Sequence, residues 1–165
     1  MIVKNGLRFN CCESVMMFVN GKRPLSGFND STMRIASNLG GGVAGWGDVC
    51  GALLGGAMSI GLLYGTEGDE SSKSFDEKRF RERKITLELI KEFQARWEEL
   101  RCRDLLGCPG CTPEERAKRS EELRARGESH CDEYVDWTAI KTLEIIQKDL
   151  YLTHNNRLFS NFNEY

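Results

Sequence analysis

Seven cysteines stand at positions 11, 12, 50, 102, 108, 111 and 131 of a 165-residue chain. In a reducing compartment that density signals metal binding or redox catalysis more often than structural disulfides. The odd count leaves one thiol over in any complete pairing. Because the seven are dispersed, a joint site must be assembled by the fold.

The most informative stretch runs from Leu39 to Gly65, LGGGVAGWGDVCGALLGGAMSIGLLYG. Gly40, Gly41 and Gly42 can close a preceding helix and take positive φ at no steric cost, and Asp48 is placed to cap the next one. Cys50 is then expected in the first turn of an apolar helix, where the macrodipole and free N–H groups stabilise a thiolate. Gly47, Asp48 and Gly51 form the turn that orients it. The plainer alternative is a small cysteine buried in a tightly packed helix.

A second group is Cys108-Pro109-Gly110-Cys111. Two thiols on a Pro-Gly turn can chelate one ion while Cys102, His130 or Cys131 supplies the remaining ligands, as in a structural zinc site. A thioredoxin-type site lacks its βαβ context here, and c-type haem attachment would need a histidine where Thr112 stands. The same pair can also join as a local disulfide.

Other chemistries find little support. With two histidines, His130 and His154, neither a histidine triad nor a multi-histidine metal centre is expected. His130 matters only as the neighbour of Cys131. The glycine run lacks the GK[ST] ending of a phosphate loop. A formal net charge of −2, and a basic run from Lys78 to Lys84 broken by Glu82, argue against a nucleic-acid binder. The N-terminal MIVKNGLRFN has no apolar signal-peptide core, so a cytoplasmic address is expected. Val49 to Tyr64 is shorter than the ~20 apolar residues of a membrane span, and no span is expected.

The elements that must position these cysteines read as helices throughout. The fold expected is all-α, a single-domain bundle of five to six helices in residues 1–150, with a charged excursion over 108–128 and a polar tail over 151–165. A first helix spans Asn10 to Val19 and stops at Asn20-Gly21. A short one spans Ser31 to Leu39, capped by Asp30 or Ser31. The third, Val49 to Leu63, carries Gly47, Gly51 and Gly55 beside Ala52 and Gly56, a stripe that admits a neighbouring backbone closely, so it should be central. The stripe also leaves a homodimer open. Ser74 to Glu77 fits a capping box at the head of a long fourth helix reaching Leu106, with Ile85, Leu89, Phe93, Trp97 and Leu100 as its core face. Thr112-Pro113 starts the charged helix. A last helix spans Ser129 to Leu150, and the stretch from Leu152 onward is expected to be loose.

Four segments in order, RFNCCESV, GGGVAGWGDVCGALLGGAMSIGLLYG, CRDLLG and HCDEYV, resemble the redox-active family named for its C_GCAxxG_C_C cysteine pattern. The resemblance spans Phe9 to Ile146. It implies a helical domain with a redox or metal role and carries four cysteines over: Cys11, Cys50 in Cys50-Gly51-Ala52-Leu53-Leu54-Gly55, Cys102 and Cys131. Cys12, Cys108 and Cys111 are additions to that pattern. On the expected helices, Cys11, Cys50 and Cys131 lie in first turns and Cys102 in a last turn. Where helix N-termini converge, their dipoles favour thiolates, and four thiolates are a ligand set for iron–sulfur clusters. The same set suits tetrahedral zinc, or, without metal, dithiol/disulfide cycling.

Three functions are then open. The leading one is an iron–sulfur or other metal centre on Cys11, Cys50, Cys102 and Cys131, serving electron transfer or redox sensing with a partner protein. The alternatives are a metal-free thiol/disulfide oxidoreductase and a structural zinc module, with Cys108, Cys111 and His130 as secondary ligands.

Overall fold

A computed structural model describes residues 1–160. Seven helices account for most of it: α1 (Cys11–Lys22), α2 (Asp30–Ser37), α3 (Gly51–Tyr64), α4 (Ser72–Trp97), α5 (Cys102–Leu105), α6 (Pro113–Ala125) and α7 (Cys131–Ser160). A two-residue antiparallel ribbon, β1 (Val3–Lys4) and β2 (Leu7–Arg8), precedes them. The fold is thus the expected helical bundle, with one helix more than the pattern predicts.

α3 is central because it has almost no side chain where its neighbours cross. It packs against α1, α4 and α7. A Cβ on Gly55 would stand 2.5 Å from the Cys12 carbonyl oxygen of α1, and one on Gly56 2.6 Å from Leu89 of α4 and 2.8 Å from Thr142 of α7. Three neighbours can therefore approach the α3 backbone, and the core fills around it with Val15, Val19, Ile60, Leu89, Phe93, Val135, Ala139 and Ile146. Phe93, Trp97, Tyr134 and Trp137 extend that core as an aromatic cluster, with Trp97 edge-on to Tyr134 at 4.9 Å between centroids. Such tilted and edge contacts suit the ring quadrupoles.

Several boundaries differ from expectation, each for a local reason. α1 begins at a capping box, in which the Asn10 side chain accepts from Glu13 N–H and the Glu13 carboxylate accepts from Asn10 N–H, and it runs through Asn20-Gly21 to Lys22. Asn29, rather than Asp30 or Ser31, caps α2 by accepting from both Ser31 and Thr32 N–H. Ser71 caps α4, so the Ser74–Glu77 box is unused. α4 ends at Trp97, nine residues before the expected stop at Leu106, because Glu98 adopts a left-handed conformation, φ 65°. α7 continues beyond Leu150 to Ser160, through residues expected to be loose, while 161–165 of that tail lie outside the described residues. The ribbon turns on Asn5-Gly6, both at positive φ, the backbone that a tight two-residue hairpin requires. Among the described residues no helix is long and apolar enough to cross a membrane.

Candidate redox site

The loop from Leu39 to Asp48 positions the second family cysteine. Gly41 and Gly42 take positive φ as expected, but so do Val43 and Ala44, a conformation few β-branched residues tolerate. The loop holds them by backbone bonds across its own width: Ala44 N–H to Asn38 C=O at 2.7 Å, Gly47 N–H to Gly41 C=O at 3.0 Å and Asp48 N–H to Gly42 C=O at 3.1 Å. Gly40 serves differently, since its φ is ordinary and a side chain there would meet Asn10 at 2.7 Å.

Asp48 does not cap α3. The N-cap is Cys50 itself, and Asp48 contributes its backbone, accepting from Cys102 N–H at 2.7 Å while Cys50 N–H donates to Leu100 C=O at 2.8 Å. Val49 and Arg101 pair between these bonds as an antiparallel bridge. Gly47 C=O accepts from Arg103 N–H and from Arg103 Nε. The start of α5 is thereby stitched to the start of α3.

Cys102 is accordingly the first residue of its own short helix, correcting its placement in the last turn of the long one. Cys11 and Cys131 are the first residues of α1 and α7. All four cysteines of the resemblance lie at helix N-termini, and all four line one cavity of about 260 Å³. Gly51 lines it too, and a Cβ there would overlap the Cys11 sulfur, so glycine after Cys50 is what lets these two segments meet.

The remaining wall joins apolar Leu105, Leu106 and Ala52 to three arginines, Arg8, Arg116 and Arg124, with no carboxylate among the described residues. Arg116 reaches in from α6, donating from Nε to Gly45 C=O at 2.7 Å and placing Nη1 3.8 Å from Cys102 Sγ. Tyr134 faces the cavity from α7, and its hydroxyl donates to Leu105 C=O at 3.4 Å.

Burial dominates the electrostatics. It pushes the Cys11 thiol up, opposed by the Gly41 amide, with Cys131 nearby adding to the rise. Cys50 is raised strongly by burial and by Cys11, against the amides of Leu53 and Ala52. Cys102 is pushed up to about 11 by burial, although Arg116 pulls it down. Tyr134 is pushed up to about 12 by burial and then by Cys131 and Cys50.

The secondary candidates lie elsewhere. Cys108 and Cys111 are outside the cavity wall, on the turn between α5 and α6. His130 is also outside it and sits with Nδ1 3.2 Å from a Glu133 oxygen. Cys12 is fully buried, its Sγ 3.7 Å from Met58 Sδ in a core pocket with Met16 and Ala36. Arg8, Arg116, Arg124 and Tyr134 are site residues that no local sequence signal singles out. The capping box at Thr112 announces α6, but nothing in its charged sequence says which face lies over the thiols.

Four thiols fit the donor set of an iron–sulfur cluster or of zinc. The arginine-rich, carboxylate-free wall fits a group of net negative charge, which four thiolates around a metal would make. As the side chains stand, no three histidine, cysteine, aspartate or glutamate residues among those described are grouped to hold an ion.

A helical bundle that brings four cysteine-bearing helix starts to one cavity defines a cysteine-centred protein of redox type. The family model described as "Putative redox-active protein (C_GCAxxG_C_C)" matches residues 9–145, and the chain belongs to that family. No curated protein and no solved structure matches it.

Proposed function

We propose that Cys11, Cys50, Cys102 and Cys131 form a single redox centre by holding an iron–sulfur cluster or another thiophilic metal, and that the protein transfers electrons or senses redox state with a protein partner. The observation that carries this reading is the shared cavity, to which each thiol comes from the start of a different helix. A bound cluster would supply one-electron exchange.

The chain's own residues do the rest. Helix-start amides face the thiolates and offset their charge. Arg116 adds a full positive charge beside Cys102. Leu105, Leu106 and Ala52 keep that part of the wall apolar, and Gly51 gives Cys11 room. Seven free cysteines suit a reducing, cytoplasmic setting.

The test is metal and sulfide analysis with a visible spectrum on anaerobically purified protein. About two to four irons per chain with matching sulfide is the expected result, together with loss of both signals in Cys50→Ser and Cys131→Ser while the helical spectrum is kept. Iron content and visible absorption unchanged in both variants would overturn the assignment. One zinc per chain and no visible band would replace the cluster by a structural ion.

A further inference from the structure

The family's four-cysteine pattern leaves Cys108 and Cys111 unexplained, and the fold sets them apart from the shared cavity. They occupy the ends of a four-residue turn closed by Cys111 N–H to Cys108 C=O at 3.1 Å, with Pro109 and Gly110 at its centre. A closed turn brings its first and last Cα atoms within about 7 Å, the span a disulfide bridges. Both flanks are pinned. Cys108 N–H donates to Arg103 C=O at 2.9 Å on the α5 side, and the Thr112–Glu115 capping box starts α6 directly after Cys111.

The turn holds the two residues at its ends, and each thiol is partly open to solvent. Burial and the neighbouring Cys111 thiol push the Cys108 thiol up to about 11, although the Arg119 charge works against it. Arg119 itself is tethered by its Nε to Leu106 C=O at 3.3 Å. With the Cys108 thiol pushed up, Cys111 is assigned the attack and Cys108, at the other end of the closed turn, the resolving step.

We infer that Cys108 and Cys111 form a second site, a surface dithiol that reduces small disulfides of the glutathione class by thiol–disulfide exchange. The Cys111 thiolate attacks one sulfur of the disulfide, and the first thiolate leaves and takes up the proton that Cys111 released. Cys108 then gives up its proton and attacks Cys111 Sγ, expelling the second thiolate, which takes that proton. One S–S bond is broken and one is formed, between Cys108 and Cys111. Two electrons pass from the protein to the small disulfide, which becomes two thiols.

The test uses the full chain, fully reduced and then exposed to oxidised glutathione, with alkylation quenching and peptide mass analysis. The expected product is a Cys108–Cys111 disulfide formed before any modification of Cys11, Cys50 or Cys131. Cys108→Ser should accumulate a glutathione adduct at Cys111, whereas Cys111→Ser should form its adduct at Cys108 about tenfold more slowly. Quantitative alkylation of both cysteines after equilibration, equal adduct rates in the two variants, or a disulfide linking either residue to Cys102 would each overturn the inference. Iron content need not change in either variant, so failure here is distinguishable from failure of the four-cysteine centre.

Discussion

Val49 and Arg101 face each other in an antiparallel bridge, each one residue ahead of a family cysteine. The two hydrogen bonds that flank the bridge, Cys50 N–H to Leu100 C=O and Cys102 N–H to Asp48 C=O, fix the starts of α3 and α5 side by side. The separation of 52 residues in sequence between Cys50 and Cys102 is thus closed by backbone alone, independent of what either thiol binds.

That stitch depends on Gly42. Its φ is +73°, and a Cβ on it would stand 2.5 Å from both the nitrogen and the carbonyl oxygen of Asp48, the residue that accepts from Cys102. Gly42→Ala should cost about 1–3 kcal/mol through strain and overpacking. It should also speed hydrogen exchange at the Cys102 amide more than at amides in the middle of α7. Denaturant titration and exchange by mass spectrometry check both, and uniform loss of protection across the chain would contradict the local mechanism.

Adjacent cysteines should behave in opposite ways. Cys12 is fully buried against Met58 and outside the cavity, whereas Cys11 lines it. Cys12→Ala removes one buried sulfur and should lower stability by about 1–2 kcal/mol while leaving metal content and thiol chemistry unchanged. Cys11→Ser should do the reverse, removing the centre while leaving the stability of the metal-free protein within about 1 kcal/mol. Paired unfolding curves and iron analysis on the two variants decide the matter; matching losses in both would erase the distinction between them.

The metal-free protein should weaken in alkali. A thiol has an ordinary pKa of about 8.5 in an unfolded chain, and Cys102 is pushed up to about 11 in the fold, with Cys11 and Cys50 also raised, by burial first in each case. The native state therefore keeps protons that the unfolded state gives up. Their contribution to stability is complete below pH ~8.5 and drains away as pH climbs through ~11. Denaturation midpoints measured in chelator from pH 7 to 10.5 should fall above pH ~8.5, and serine at Cys50 and Cys102 should flatten that fall. A midpoint that stays level to pH 10.5 would show that these thiols are not raised.

Much of this fold could be read from local signals. The apolar steps Ile85, Leu89 and Phe93 carry the core face of α4, the glycine stripe marks α3 as central, and Thr112-Pro113 starts α6 as its capping chemistry dictates. The break between α4 and α5 was not legible. Trp97, Leu100 and Leu106 continue the helical apolar rhythm, and the residue that turns the chain, Glu98 at φ 65°, is neither glycine nor asparagine. What stops the helix is tertiary: Leu100 to Cys102 are drawn into backbone pairing with Asp48 to Cys50. The expected place of Asp48 failed for the same reason, since its backbone was claimed by α5 and the cap position fell to Cys50. Convergence of the cysteines was readable as a possibility from the helix starts, but the arginines around them were not, because a long-range contact from a solvated helix leaves no periodic trace.

Arg116 makes the sharpest of those contacts. α6 buries no residue, yet its Arg116 bonds to Gly45 C=O, crowds Gly41 and Gly47, and reaches the Cys102 sulfur. The helix is therefore held over the thiol cavity by polar anchors rather than by a core. Arg116→Met should leave global stability within about 1 kcal/mol, because α6 contributes no buried residue to the core. Hydrogen exchange in α6 and in the 41–47 loop should nevertheless rise about tenfold, the equivalent of one lost hydrogen bond of roughly 1.4 kcal/mol. Arg116→Lys keeps the charge but not the directed Nε bond, so it should restore little of the protection. Full restoration by lysine would show that charge beside Cys102, and not the bond to Gly45, holds the helix in place.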